Sequence, residues 1–129
     1  MSELFIMETS ELLNKDGGHY WYNADGKLHR DGGLPAIEFT NGNREWWVNG
    51  QQHRDNGLPA VEYVCGDREW WFDGSRHRDN GLPAMTCVDG HREWWVHGQL
   101  HRDGELPAID FADGDQEWWV HGQLHQREW

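Results

Sequence analysis

Lysine is nearly missing from this sequence: Lys15 and Lys27 are the only two. The chain carries 23 acidic residues against 11 lysines and arginines, for a formal net charge of -12. A direct binder of DNA or RNA needs a basic groove, because neutralised phosphates supply most of its affinity. Direct nucleic-acid binding is therefore not expected. Cysteine is as scarce. Cys65 falls in an expected turn and Cys87 in an expected strand, which is no disulfide framework and suits a reducing compartment. No apolar run approaches the ~20 residues of a membrane span, and residues 1–14 hold acids but no basic leader. A soluble, cytoplasmic protein is expected. Apolar residues make up only 36% of the chain, a level that leaves a non-repeating sequence short of burial.

Tryptophan and periodicity fill that gap. Arg44-Glu45-Trp46-Trp47-Val48-Asn49-Gly50 returns at positions 68, 92 and 116, always 24 residues on, with Gln116 in place of Arg in the last copy. Each Trp-Trp segment is followed by a histidine and, in all but the last, by His-Arg-Asp and Leu-Pro-Ala. Large rings at fixed intervals, each able to bury ~150–250 Å², supply a thin core shared between neighbours. The chain divides into an N-terminal cap, residues 1–18, and one repeat domain, residues 19–129. The copies are 19–42, 43–66, 67–90, 91–114 and a partial 115–129. In the first, Tyr20, Trp21 and Tyr22 stand near the Glu-Trp-Trp position.

Within a copy the period is two, the period of strands. Asn49-Gly50 and Asp73-Gly74 are type I′ hairpin signals, and His97-Gly98 and His121-Gly122 weaker ones. A two-residue loop at Asn49-Gly50 sets Val48 opposite Gln51, Trp47 opposite Gln52, Trp46 opposite His53 and Glu45 opposite Arg54. The last pair recurs as Glu69–Arg78 and Glu93–Arg102. Pro59 marks the start of a third strand, Val61-Glu62-Tyr63, because proline cannot donate to a ladder. Three short antiparallel strands per copy predict an all-β antiparallel meander or β-solenoid of about four and a half repeats.

The Trp-Trp-Val-Asn-Gly-Gln-Gln-His-Arg segment at 46–54 resembles the variant MORN repeat, an aromatic hairpin with a glycine-centred turn. The string at 25–36, Asp-Gly-Lys-Leu-His-Arg-Asp-Gly-Gly-Leu-Pro-Ala, and its copies are similar to repeat proteins of phages, giant viruses and some bacteria. The resemblance spans residues 19–127. It implies a binding scaffold, and the Leu-Pro-Ala strand departs from ordinary MORN repeats.

No motif here specifies a reaction. His-Arg-Asp belongs to kinase catalytic loops, but those also need a glycine-rich loop, a paired lysine and a metal-binding aspartate, and an active-site tripeptide does not occur four times. His97 and His101, like His121 and His125, have zinc-ligand spacing on a helix; across a hairpin turn they do not converge, so no metal and no cofactor are expected. Trp pairs could stack sugars, which keeps a carbohydrate-binding module as a third reading, but core packing is the plainer role for at least one ring of each pair. No nucleophile with a base recurs, and an enzyme is not expected.

The acids remain. In the simplest register the Asn41-Gly42 turn puts Glu38 opposite Glu45, with Glu62 and Glu69 the next such pair. From Asp103 to Glu117 there are six acids, Asp103, Glu105, Asp110, Asp113, Asp115 and Glu117, and no lysine or arginine. This stretch is the expected partner-binding surface, together with Glu38, Glu45, Glu62 and Glu69. The expected function is a non-enzymatic inhibitor of phage or mobile-element type. Its spaced carboxylates would imitate phosphates and block the basic nucleic-acid channel of a host protein in a defence complex, as anti-CRISPR proteins do. The alternative is a β-repeat scaffold for protein assembly, with acidity serving solubility.

Overall fold

In a computed structural model, which describes Ser10–Leu13 and residues 17–129, the chain is an all-β antiparallel meander with no helix among the described residues. Residues 1–9 and 14–16 of the expected cap lie outside the described set. Ser10–Leu13 is a strand, pairing antiparallel with His19–Tyr22 at one edge of the sheet.

An eleven-stranded sheet runs the length of the molecule. A copy adds two short strands to it, such as Arg44–Glu45 with Val61–Glu62 and Arg68–Glu69 with Met85–Thr86. It then adds a separate two-stranded hairpin, such as Trp47–Val48 with Gln51–Gln52. The three strands expected per copy are thus four pieces, because the Trp-Trp strand breaks at its first tryptophan. The N–H of Trp46 donates to Ala60 O of the next sheet strand at 2.8 Å, while Trp47 already belongs to the hairpin.

The hairpin turns are type I′, with φ of 50° at Asn49 and 83° at Gly50, and His97 adopts the same left-handed conformation at 48°. Trp47 faces Gln52 and Val48 faces Gln51, as the turn predicts. Past His53, whose N–H bonds Trp46 O at 3.1 Å, the predicted register fails. Glu45 does not face Arg54, nor Glu69 Arg78, nor Glu93 Arg102. The free side of Arg44–Glu45 is already occupied by Val61–Glu62 of the same copy. Arg54 instead donates its N–H to Trp71 O at 3.3 Å. In the partial copy 115–129, Gln123–Glu128 pairs all along Gln116–Val120. A bulge there sets Glu117 opposite Arg127 rather than Gln126.

The Asn41-Gly42 turn differs as well. Phe39 N–H bonds Asn43 O at 2.9 Å, so the loop has three residues and closes on Gly42 at φ 99°. Glu38 therefore faces Arg44, and Ile37 faces Glu45. A one-residue change of register turns every side chain to the other face. One row of the sheet reads Glu38, Arg44, Glu62, Arg68, Thr86, Arg92, Asp110, Gln116, with charges mostly alternating in sign. The row beside it alternates Ile37, Val61, Met85 and Ile109 with Glu45, Glu69, Glu93 and Glu117. The expected files of like charge do not exist, and their repulsion with them.

The core is one layer deep. It holds Trp46, Trp70 and Trp94, Ala36, Ala60, Ala84 and Ala108 with no exposure, and Ile37, Val61 and Ile109. The first tryptophan of each central pair is the buried one; the second is partly exposed. Each buried indole N–H donates to a glycine carbonyl thirteen residues back, Trp46 to Gly33, Trp70 to Gly57 and Trp94 to Gly81, all at 3.0 Å.

Candidate protein-binding surface

His-Arg-Asp does architectural work in every full copy. The arginine lies flat on the buried indole, with Arg54 3.7 Å from the Trp46 ring, Arg78 3.8 Å from Trp70 and Arg102 3.8 Å from Trp94. Its guanidinium also donates to the proline carbonyl of Leu-Pro-Ala, Pro59 O at 3.1 Å for Arg54. The histidine joins copies: Nδ1 of His29, His53, His77 and His101 accepts the N–H of Asn49, Asp73, His97 and His121 in the next hairpin turn, at 2.9–3.0 Å. Nε2 of each lies 2.7–2.8 Å from its own aspartate, Asp31, Asp55, Asp79 or Asp103. Both ring nitrogens are therefore engaged in a tautomer that donates from Nε2. His97 and His121 stack on His77 and His101, ring centroids 4.2 and 4.3 Å apart. No group of three or more histidine, cysteine or acidic side chains among the described residues could hold a metal ion.

The ten predicted contact residues separate into three sets. Glu45, Glu69 and Glu117 point into the sheet's apolar row and accept the indole N–H of Trp47, Trp71 and Trp119 at 2.9, 2.9 and 2.8 Å. Glu38, Glu62 and Asp110 are ion-paired: Arg30 reaches Glu38 at 3.4 Å, Arg44 and Arg54 clasp Glu62 at 2.7 and 3.1 Å, and Arg92 reaches Asp110 at 3.0 Å. Arg127 Nε lies 3.4 Å from Glu117, so the C-terminal acids are not free of cations. Asp103, Glu105 and Asp113 are exposed, and Asp115 is half-buried beside Asp113. The Asp115 carboxyl is pushed up by desolvation and by the charge and hydrogen bond of Asp113.

The exposed acids lie mainly on loops. Among the described residues these are Asp25, Asp31, Asp55, Asp73, Asp79, Asp89, Asp103, Glu105, Asp113 and Glu128, against four exposed cations, Lys27, Arg44, Arg92 and Arg127. Asp31, Asp55, Asp79 and Asp103, 53, 72, 80 and 95% exposed at the side chain, form one ridge at one-copy spacing. The first three lie outside the acidic stretch expected to bind, although their strict recurrence after His-Arg is visible in the sequence. Between the loops run three grooves of about 370, 430 and 370 Å³.

Two irregular features interrupt the array. Arg76 takes the place filled by Gln52 and Leu100 in neighbouring copies. It lies between Trp71 and Trp95, 5.1 and 5.2 Å from their rings, and reaches Glu69 at 3.1 Å. Tyr63 donates its hydroxyl to the same Glu69 at 2.8 Å. Desolvation and that carboxylate push the phenol well above its ordinary range. The second feature is Cys87, whose thiol is pushed up to about 11 by burial and by Asp67, Asp89 and Glu93. At pH 8 a thiol of that kind is thiolate to roughly one part in a thousand. Iodoacetamide should therefore label exposed Cys65 at least about tenfold faster than Cys87. Equal rates by peptide mass mapping would contradict the Cys87 environment.

No protein-family model matches this chain, and no curated protein sequence is significantly similar to it. No helix among the described residues is long and apolar enough to cross a membrane.

Proposed function

We propose that the protein is a non-enzymatic binding module that lays its acidic loop ridge on a basic protein surface and keeps nucleic acid off it. The observation that carries this reading is the surface imbalance, ten exposed acids to four exposed cations among the described residues. The sheet rows contribute little to that field, because their carboxylates are paired or buried; it comes mainly from the loops, where Asp31, Asp55, Asp79 and Asp103 line up as a ridge. Each ridge carboxylate is pinned by a histidine N–H, so less side-chain freedom is lost on docking. The resemblance to phage and mobile-element repeat proteins points to a host defence complex as owner of the basic surface.

The test is competition. A partner captured from nuclease-treated host lysate is loaded with a fluorescein-labelled oligonucleotide, and the protein is titrated in. Displacement is expected, weakening with salt because exposed charges are screened beyond ~8 Å at physiological ionic strength. The variant Asp55→Asn/Asp79→Asn/Asp103→Asn keeps an acceptor for each histidine and removes three charges. It should slow association about tenfold at low salt, since complementary fields act chiefly on the on-rate. Simultaneous binding of oligonucleotide and protein would overturn the reading. It would favour the assembly-scaffold alternative, which the internally neutralised sheet rows support.

A further inference from the structure

The three grooves form one furrow. Arg54 and Leu58 wall both the first and the second, and Arg78 and Leu82 both the second and the third. Along it Leu34, Leu58, Leu82 and Leu106 stand 44–49% exposed at the same place in four successive copies, with Phe72 at 44% and Val48 at 36%. Large apolar side chains left in solvent once per repeat, beside the edges of Trp47, Trp71 and Trp95, mark a contact surface rather than scattered exposure. The aspartate ridge lies along its rim. Arg54, by contrast, is only 19% exposed and tied to Glu62, so the cations of the furrow are sunk and the anions stand out.

We infer that this furrow binds a proline-rich, basic segment of the partner in the polyproline II conformation, one turn to each groove. The inference rests on the basic-partner reading above and names what docks. The spacing decides between conformations. Each copy adds two strands to the sheet, so grooves recur every ~9.6 Å at a strand separation of ~4.8 Å. Polyproline II brings the same face back every three residues, ~9.3 Å. A β-strand repeats its faces every two residues, at ~6.7 or ~13.4 Å, and misses the grooves. An α-helix returns after seven residues, ~10.5 Å, and gains nearly 1 Å of misfit per groove. Four cations spaced three apart in polyproline II span ~28 Å, close to the ~29 Å covered by the four ridge aspartates over three intervals. Polyproline II leaves its backbone carbonyls unbonded. Asn56 and Asn80 line the grooves, and their side-chain amides supply donors for those carbonyls.

Fluorescence anisotropy with labelled dodecapeptides tests this on the full chain. Four Pro-Pro-Arg triplets should bind at least about tenfold more tightly than four Gly-Gly-Arg triplets, which match them in charge and spacing but lack the preformed helix. They should also bind about tenfold more tightly than a peptide of the same composition with its arginines adjacent. Leu58→Ser/Leu82→Ser should weaken the first peptide about tenfold while leaving the circular-dichroism spectrum unchanged. Equal affinity for all three peptides would overturn the polyproline assignment while leaving the acidic-docking reading in place. So would failure of all three to bind while the captured basic partner still binds. Loss of partner binding as well would overturn both.

Discussion

Trp94→Ala is expected to remove about 3–5 kcal/mol of stability, the usual cost of truncating a buried tryptophan. A domain of this size has about 5–15 kcal/mol in all, so the variant is marginal at room temperature. Trp94 is 4% exposed, and three things are lost with its ring. The cavity is the largest. Gly81 O loses the indole N–H that reaches it at 3.0 Å. The Arg102 guanidinium, 3.8 Å above the ring, loses the surface that covered it. Trp94→Phe keeps an aromatic surface but loses the N–H, and should cost far less, with about 1 kcal/mol from the hydrogen bond. Urea denaturation measures both. Because copies touch chiefly their neighbours, the damage should be local. Hydrogen exchange should accelerate across residues 77–119 and change little across residues 19–50. An unchanged midpoint for the alanine variant would refute the assignment of the first tryptophan as core.

Glu69→Ala is expected to be the most damaging change of a charged residue, at about 3 kcal/mol, because three donors lose one charged acceptor and Arg76 keeps only Glu93, 3.8 Å away. Glu69 is 7% exposed and accepts from the Tyr63 hydroxyl, the Trp71 indole and Arg76. Arg76 already has a buried Nε with no acceptor. The repeat supplies its own control. Glu45 makes the same bond to Trp47, but Gln52 stands where Arg76 does. Glu45→Ala should cost appreciably less, and the double variant Glu69→Ala/Arg76→Leu, which borrows the residue found at Leu100, should recover about half the loss. A cycle with no coupling would show that Arg76 draws nothing from Glu69. Tyr63 adds a pH signature. Its folded pKa is raised, so its contribution is complete below the unfolded value near 10 and is lost as pH rises past it. Wild type should weaken on alkaline titration, and Tyr63→Phe should flatten that slope.

Much of the architecture was legible because it is local. The 24-residue period, the all-β class and the Trp47–Gln52 register follow from residues adjacent along the chain. The candidate surface was less legible. Glu45, Glu69 and Glu117 look like solvent-facing acids in sequence, and each is engaged by an indole two residues on. The aspartates of His-Arg-Asp were visible as a motif, but nothing in one dimension says that they stand in a row beside exposed leucines.

The same dipeptide shows where the division falls. Asn49-Gly50 and Asn41-Gly42 are identical in sequence, and only the first is a type I′ turn, with both residues at positive φ. At Asn41 the side chain accepts the N–H of Asn43 at 2.9 Å, and the turn widens to three residues. At Asn49 the backbone N–H is taken by His29 of the preceding copy at 2.9 Å. The sequence alone determined that the chain turns at both places. Tertiary pairing decided how many residues each turn takes. That count decides which face each glutamate joins, because strand side chains alternate with a period of two and one added residue sends an acid from solvent to core.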